Sequence, residues 1–232
     1  MTEQISTSDN LKELYDLINH DLSQPLHSLE SLLSILEENH SHELNEEVNQ
    51  YLEFIKLSSN KLRLTTNSSL NFIKILIDEK FELVDLNLIL NDVSSSAKNK
   101  WASNKAEIHY KDLPSIGCQK SSISILLNNL VTNGLKFRQT GISPKIDISF
   151  KEDKNKWTFM VSDNGIGIHE NDFERIFQPF TRLLSHEEYL GSGFGLNFCK
   201  KITEKHKGEI WVESKLNVGT SFYFTIKKGL IN

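Results

Sequence analysis

Between residues 6 and 36 the apolar side chains Leu11, Leu14, Ile18, Leu22, Leu26, Leu29, Leu33 and Leu36 return every three or four positions. Such a spacing puts them on one face of an α-helix, so the stretch reads as one long amphipathic helix, with Ser8 or Asp9 available as its N-cap. The polar run Glu37–Glu43 fits a hairpin turn, and a second stripe (Leu44, Val48, Leu52, Ile55, Leu62) carries on toward Phe72. A lone two-helix hairpin leaves its apolar seam uncovered. Pairing with a second copy into a four-helix bundle would cover it, which predicts a homodimer through residues 5–75.

After Asp78-Glu79-Lys80 the texture changes. FELV (81–84) reads as a short strand, and Asp85 as the cap of a helix from Leu86 to about Lys98. Segments 106–110, 145–150 and 156–161 alternate or run apolar as strands do, and 209–214 and 220–227 read as closing strands. Helices are expected over about 120–137 and 195–205. Charge divides the chain at the same place: residues 1–76 carry 5 Lys/Arg against 12 Asp/Glu, the remainder 21 against 19. The fold class expected is α+β: a helical hairpin over 1–76 forming a dimeric four-helix bundle, then a two-layer α/β sandwich over 77–232 with its helices on one sheet face.

Composition removes several function classes. A net charge of −5 argues against a nucleic-acid partner, which needs a basic face. No run of about 18 apolar residues exists to span a membrane, and the first ten residues lack the pattern of a signal peptide. Cys118 and Cys199 are too few and too far apart for a disulfide framework, so a reducing cytoplasm is expected. Cys199 and Trp211 read as core packing. His206-Lys207-Gly208 reads as a helix C-terminus, with cations near the carbonyl end and glycine as the stop. His27, His40 and His42 have no metal-ligand spacing and read as solvated.

Two groups of residues suggest chemistry. His20 sits mid-helix with Asp21 beside it, where negative charge makes the ring more basic and can accept a proton. Gln24 lies at i+4 on the same face. Pro25 cannot donate to the Asp21 carbonyl and costs roughly 3 kcal/mol inside a helix. The spacing alone fits equally a partly buried His20 with Pro25 at a helix boundary. Further on, Asn129, Asn133 and Lys136 share one helical face, suiting a triphosphate with its metal: amide oxygen is a hard ligand for Mg²⁺, and lysine offers a point charge. Asp163, at the end of a strand and followed by Gly165 and Gly167, can accept from an exocyclic amine while the glycines let backbone approach a ring. Gly191, Gly193 and Gly195 open a helix whose N–H groups favour phosphate. No GxxxxGK[ST] loop occurs.

Together these segments resemble the histidine kinases of two-component signalling, most closely their phytochrome-like branch. His20-Asp21-Leu22-x-x-Pro25-Leu26 resembles the H-box, and the segments around Asn133, Asp163, Phe177–Arg182 and Gly191–Leu196 resemble the N-, G1-, F- and G2-boxes. The resemblance implies a histidine kinase/chaperone-type ATP-binding domain and a kinase that uses ATP and Mg²⁺ to phosphorylate His20. It assigns catalytic roles to His20, Asp21, Gln24 and Arg182, with Asn133 as the metal ligand. Asn129 and Lys136 become phosphate contacts, Asp163 the adenine-reading carboxylate, and Gly165, Gly167, Phe180, Gly191, Gly193 and Gly195 further nucleotide contacts. Residues from about 178 to 191 would form a lid over ATP. The implied partner is a response-regulator receiver domain, and the sensory domain would be a separate protein or one removed from this chain. Gln24 departs from the common Thr or Asn, which bears on phosphatase activity; Gly134 stands for the usual Ala, and Gln119 for a common Asp. Rival readings are a non-catalytic phosphotransfer or scaffold dimer, and a chaperone, mismatch-repair or anti-sigma-factor type ATPase.

Overall fold

The computed structural model describes residues 7–40, 45–77, 80–101, 105–183 and 193–231, which fall into two compact units, Met1–Asp78 and Glu79–Asn232. The first unit is two long helices, α1 (Thr7–His40) and α2 (Glu46–Leu76). Helix α1 runs unbroken through Pro25, so the proline marks no helix boundary, and it continues four residues past the expected end at Leu36. Because it starts at Thr7, Ser8 and Asp9 lie inside it and neither is the cap; the capping position falls outside the described residues. Helix α2 is capped by Asn45, whose Oδ1 accepts from the Val48 N–H at 2.8 Å.

The hairpin is antiparallel. Glu37 pairs with Lys56, Glu30 with Arg63 at 2.8 Å, and the Tyr15 ring with Lys74 at 5.0 Å, so contacts advance along one helix as they retreat along the other. Leu26, Leu33 and Leu70 are buried in this unit. A second apolar set is not covered: Leu17 is 59% exposed and Phe54 65%, with Leu14, Leu32, Ile35, Tyr51, Leu57 and Leu62 also exposed.

The second unit is an α/β sandwich. Its main sheet has strand order β2-β4-β5-β7-β6, from β2 (Glu107–Tyr110), β4 (Lys145–Glu152), β5 (Lys156–Asp163), β6 (Ile210–Lys215) and β7 (Gly219–Lys227). All pairings are antiparallel except β2–β4, which is parallel. Helix α4 (Lys120–Lys136) packs on β4 and β5, α5 (Gly195–Lys205) on β6 and β7, and α3 (Leu86–Lys100) beside α4. Ile146, Ile148, Phe159, Val161, Phe222 and Phe224 are buried, and Phe159 stacks on Phe224 with centroids 5.0 Å apart. Asp85 caps α3 as expected, its Oδ1 accepting from Asn87 N–H at 2.8 Å.

Three local readings are corrected. A strand unseen in the sequence, β3 (Ser115–Cys118), pairs with β1 (Glu82–Asp85) in a separate two-stranded sheet. Trp211 does not face the core: it is half-buried and stacks on Tyr223 at 5.2 Å, in alternation with the inward Val212 and Phe222. His206 does stand at the end of α5, as expected, but not as a cation. It is fully buried against Phe81; its Nδ1 donates to Ile202 O at 2.8 Å and its Nε2 accepts from Gln119 N–H at 3.1 Å, while burial lowers its pKa. The left-handed residue there is Lys207 (φ 56°), and Gly208 is needed for space, because a Cβ would lie 1.8 Å from Thr225 O. Cys199 is fully buried, as expected of core packing.

Candidate functional site

In the helical unit, His20 projects from the middle of α1 with its side chain 69% exposed, so it is not a core histidine. Its Nδ1 lies 2.9 Å from Asp21 Oδ1. A carboxylate oxygen only accepts, so Nδ1 carries the proton and Nε2 of the neutral ring keeps its lone pair toward solvent. Asp21 therefore grips the ring, a closer relation than flanking it. Gln24 and Pro25 are exposed beside it.

In the α/β unit, two glycines draw the site together. Asn129, Asn133 and Lys136 are half-buried on α4. Gly134, between them, lies against the end of β5: a Cβ there would come 2.4 Å from Ile146 Cδ1 and 3.0 Å from Asp163 Cβ. This absent side chain lets α4 approach Asp163. At Gly195, the first residue of α5, a Cβ would come 2.8 Å from Asn129 Oδ1, so α5 begins against the same helix. Asn129 Nδ2 donates back to Ile125 O at 2.9 Å, and Lys136 Nζ lies 4.5 Å over the Phe137 ring.

Asp163 ends β5 half-buried, with Oδ1 accepting from Gly165 N–H at 2.8 Å and Thr220 N–H at 3.2 Å. Burial pushes its carboxyl up to about 6 against those two donors. A carboxyl moved this far by its surroundings is a functional candidate. The loop after it is tightly built. Gly165 has no room for a side chain, since a Cβ would lie 2.4 Å from Phe137 O, and Gly167 takes φ 75° with Lys215 O against its α-carbon. Ile166 N–H donates to Phe137 O at 2.9 Å, and Asn217 N–H to Ile166 O at 2.8 Å. Two residues not expected from the sequence brace this loop: Gln139 donates into it, and Asn164 within it accepts from Lys145 N–H and donates to Ser143 O. Nothing in their local sequence signals it.

Phe180 is 73% exposed at φ 61°, its ring 4.4 Å from Phe194. Gly193 (φ 76°) would place a Cβ 2.9 Å from the Phe180 carbonyl carbon, so the two ends of segment 181–193 touch. Arg182 is half-buried at one end. Gly191 and most of the expected lid fall outside the described residues. Among those described, no group of three His, Cys, Asp or Glu could hold a metal alone. The donors near Asn133 are amides and one carboxylate. They fit an ion like Mg²⁺ that takes most of its ligands from phosphate and water.

Known proteins resemble this chain. The family model for histidine kinase-, DNA gyrase B- and HSP90-like ATPases matches residues 118–230. Phytochrome-like protein Cph1 of Synechocystis sp. is 33% identical over 223 residues, 95% of this chain and 29% of that protein. The catalytic domain of the histidine kinase ThkA is 30% identical with TM-score 0.53, covering 65% of this chain and 99% of that domain. The chain belongs to the histidine kinase family.

Over 95% of the chain the fold also resembles two longer solved proteins. Full-length ShkA, solved in complex with AMPPNP, has TM-score 0.66 at 22% identity over 95% of this chain and 46% of ShkA. ThkA in complex with the response regulator TrrA has TM-score 0.61 at 22% identity, covering 95% of this chain and 64% of that one. The chain spans 29% of the length of the phytochrome-like relative. No described helix is long and apolar enough to cross a membrane.

Proposed function

We propose that this histidine kinase phosphorylates its own His20 from ATP and passes the phosphoryl group to an aspartate of a response-regulator receiver domain. The observation that carries the reading is the exposed His20 ring whose Nδ1–H is held by Asp21, leaving Nε2 as the nucleophile. Nε2 bonds to the γ-phosphorus as the bond from that phosphorus to the β–γ bridging oxygen breaks and ADP leaves. Asp21 stabilises the imidazolium and takes up its Nδ1 proton. Arg182 neutralises charge at the transferring group, and Gln24 orients it. Such transfers depend chiefly on positioning and charge neutralisation.

Residues 77–232 act as the catalytic domain in this reading. Asp163 reads the adenine amine, Gly165 and Gly167 admit the ring, and Phe180 lines the site. Asn129, Lys136 and the Gly191, Gly193 and Gly195 backbone hold phosphate. Asn133 would ligate Mg²⁺, which supplies charge neutralisation across the phosphates. Residues 1–76 form the dimerisation and phosphotransfer domain. The uncovered stripe through Leu17 and Phe54 pairs with a second copy into a four-helix bundle. A cytoplasmic setting supplies the ATP, and the ThkA–TrrA complex gives a precedent for a receiver on a fold of this kind.

Incubation with γ-labelled ATP and Mg²⁺ should give an acid-labile, base-stable label on wild type and none on His20→Gln. Equal labelling of His20→Gln would overturn the assignment. Nucleotide binding without any label would favour a non-catalytic scaffold.

A further inference from the structure

The loop after Asp163 contains an arrangement that phosphate binding does not explain. Gln139 lies three residues past the end of α4, and its Nε2 donates to Gly165 O at 3.0 Å, Asn164 O at 3.1 Å and Asn217 O at 3.2 Å. Two consecutive carbonyls aimed at one point repel each other unless a donor lies between them. A side-chain NH₂, with two protons and no charge, meets that need.

The Asn164–Gly165 peptide is the unit that matters. Its carbonyl is held by Gln139, and its N–H donates to Asp163 Oδ1 at 2.8 Å. A peptide unit is planar, so fixing one edge fixes the other. Asn164 cannot take over the task, because its own side chain accepts from Lys145 N–H at 2.8 Å and donates to Ser143 O at 3.0 Å. Gly165 has the widest backbone freedom of any residue, so without a clamp this plane can turn and withdraw its N–H from the carboxylate.

We propose that Gln139 is a positioning residue for base recognition, fixing the Asn164–Gly165 peptide plane and through it the aim of the Asp163 carboxylate at the exocyclic amine of the purine. The proposal rests on the reading of Asp163 given above. Gln139 itself need not touch the nucleotide. It acts on one part of the ligand only, the amine, and this separates a positioning role from a purely structural one.

The test uses the full chain and two probes that differ only in that amine: ADP and purine riboside 5′-diphosphate, titrated by calorimetry. Wild type should prefer ADP. Gln139→Ala and the volume-matched Gln139→Met should lose roughly tenfold in ADP affinity, the scale of one hydrogen bond to a charged group. Their affinity for the deaminated analogue should change less than about twofold, so the preference collapses. Equal losses for both nucleotides, or an intact preference in either folded variant, would overturn the proposal. Asp163→Ala separates the two levels. If it abolishes the preference while Gln139→Met keeps it, only the role of Gln139 fails. If Asp163→Ala leaves the preference intact, the base-reading assignment fails and the Gln139 proposal falls with it.

Discussion

The two units of this chain bury their apolar residues in opposite ways. In the α/β unit, Phe159, Phe224, Ile146, Leu126 and Ile202 are all but sealed from water within one chain. In the helical unit Leu26, Leu33, Leu70, Ile73, Ile75 and Ile77 are buried, but large side chains such as Leu32, Phe54 and Leu57 remain more than half exposed. The α/β unit can be complete in one copy, and its glycines are spent on bringing groups of the candidate site close. The helical unit leaves an apolar face uncovered in one copy, which suits the proposed pairing with a second copy while His20 stays open.

The contrast can be broken most severely at the sheet. Phe159→Ala removes a stacked, sealed ring and should destabilise the α/β unit by about 3–5 kcal/mol. Helical content of the hairpin should be left largely unchanged in a thermal scan followed by circular dichroism. Loss of both units together would mean that they do not stabilise themselves separately.

Next comes the uncovered stripe. Phe54→Asp replaces a side chain that, if buried on pairing, contributes about 1.5–3 kcal/mol. It should weaken self-association at least tenfold by analytical ultracentrifugation while ADP binding stays unchanged. An unaltered association constant would show that this face is not the interface.

Acid should act more gently on the α/β unit. Asp163 has its folded pKa raised from 3.8 to about 6, so in the proposed role it would accept from an amine above that value and lose that capacity as it is protonated below it. ADP affinity should therefore fall by up to about tenfold per unit as pH drops below about 6. Asp163→Asn should flatten that part of the profile. In the ligand-free protein the sign reverses: the raised pKa makes this residue stabilise the fold increasingly as pH falls from about 6 toward 3.8. The smallest effect belongs to the hairpin surface. Arg63→Ala breaks a solvent-screened pair with Glu30 and should cost at most about 1 kcal/mol.

How much was legible in the sequence followed the range of the interactions. Helices α1 and α2 announce themselves by period, and Asp85 by local capping chemistry, because both depend on residues within one turn. The site segments were legible for a similar reason: Asn129, Asn133 and Lys136 lie on one helix face, and Asp163 ends one strand. Strand β3 was not legible, since four residues, one of them a glycine, are too few to carry a signal apart from their partner β1. The same holds for Lys207, whose left-handed turn is imposed by the packing of Gly208 on Thr225. Gln139 is the clearest case: its acceptors lie 25, 26 and 78 residues away, so no reading of its neighbourhood could find them. Trp211 failed for a subtler reason, because strand alternation gives two faces but does not say which one the helices cover.

The central claim is that Asp21 holds Nδ1 of His20 and leaves Nε2 to take the phosphoryl group. Phosphorus NMR of the autophosphorylated protein, with the site located by mass spectrometry, tests it directly. The prediction is a single phosphoramidate on Nε2 of His20; phosphate on Nδ1, or on any other residue, would contradict it.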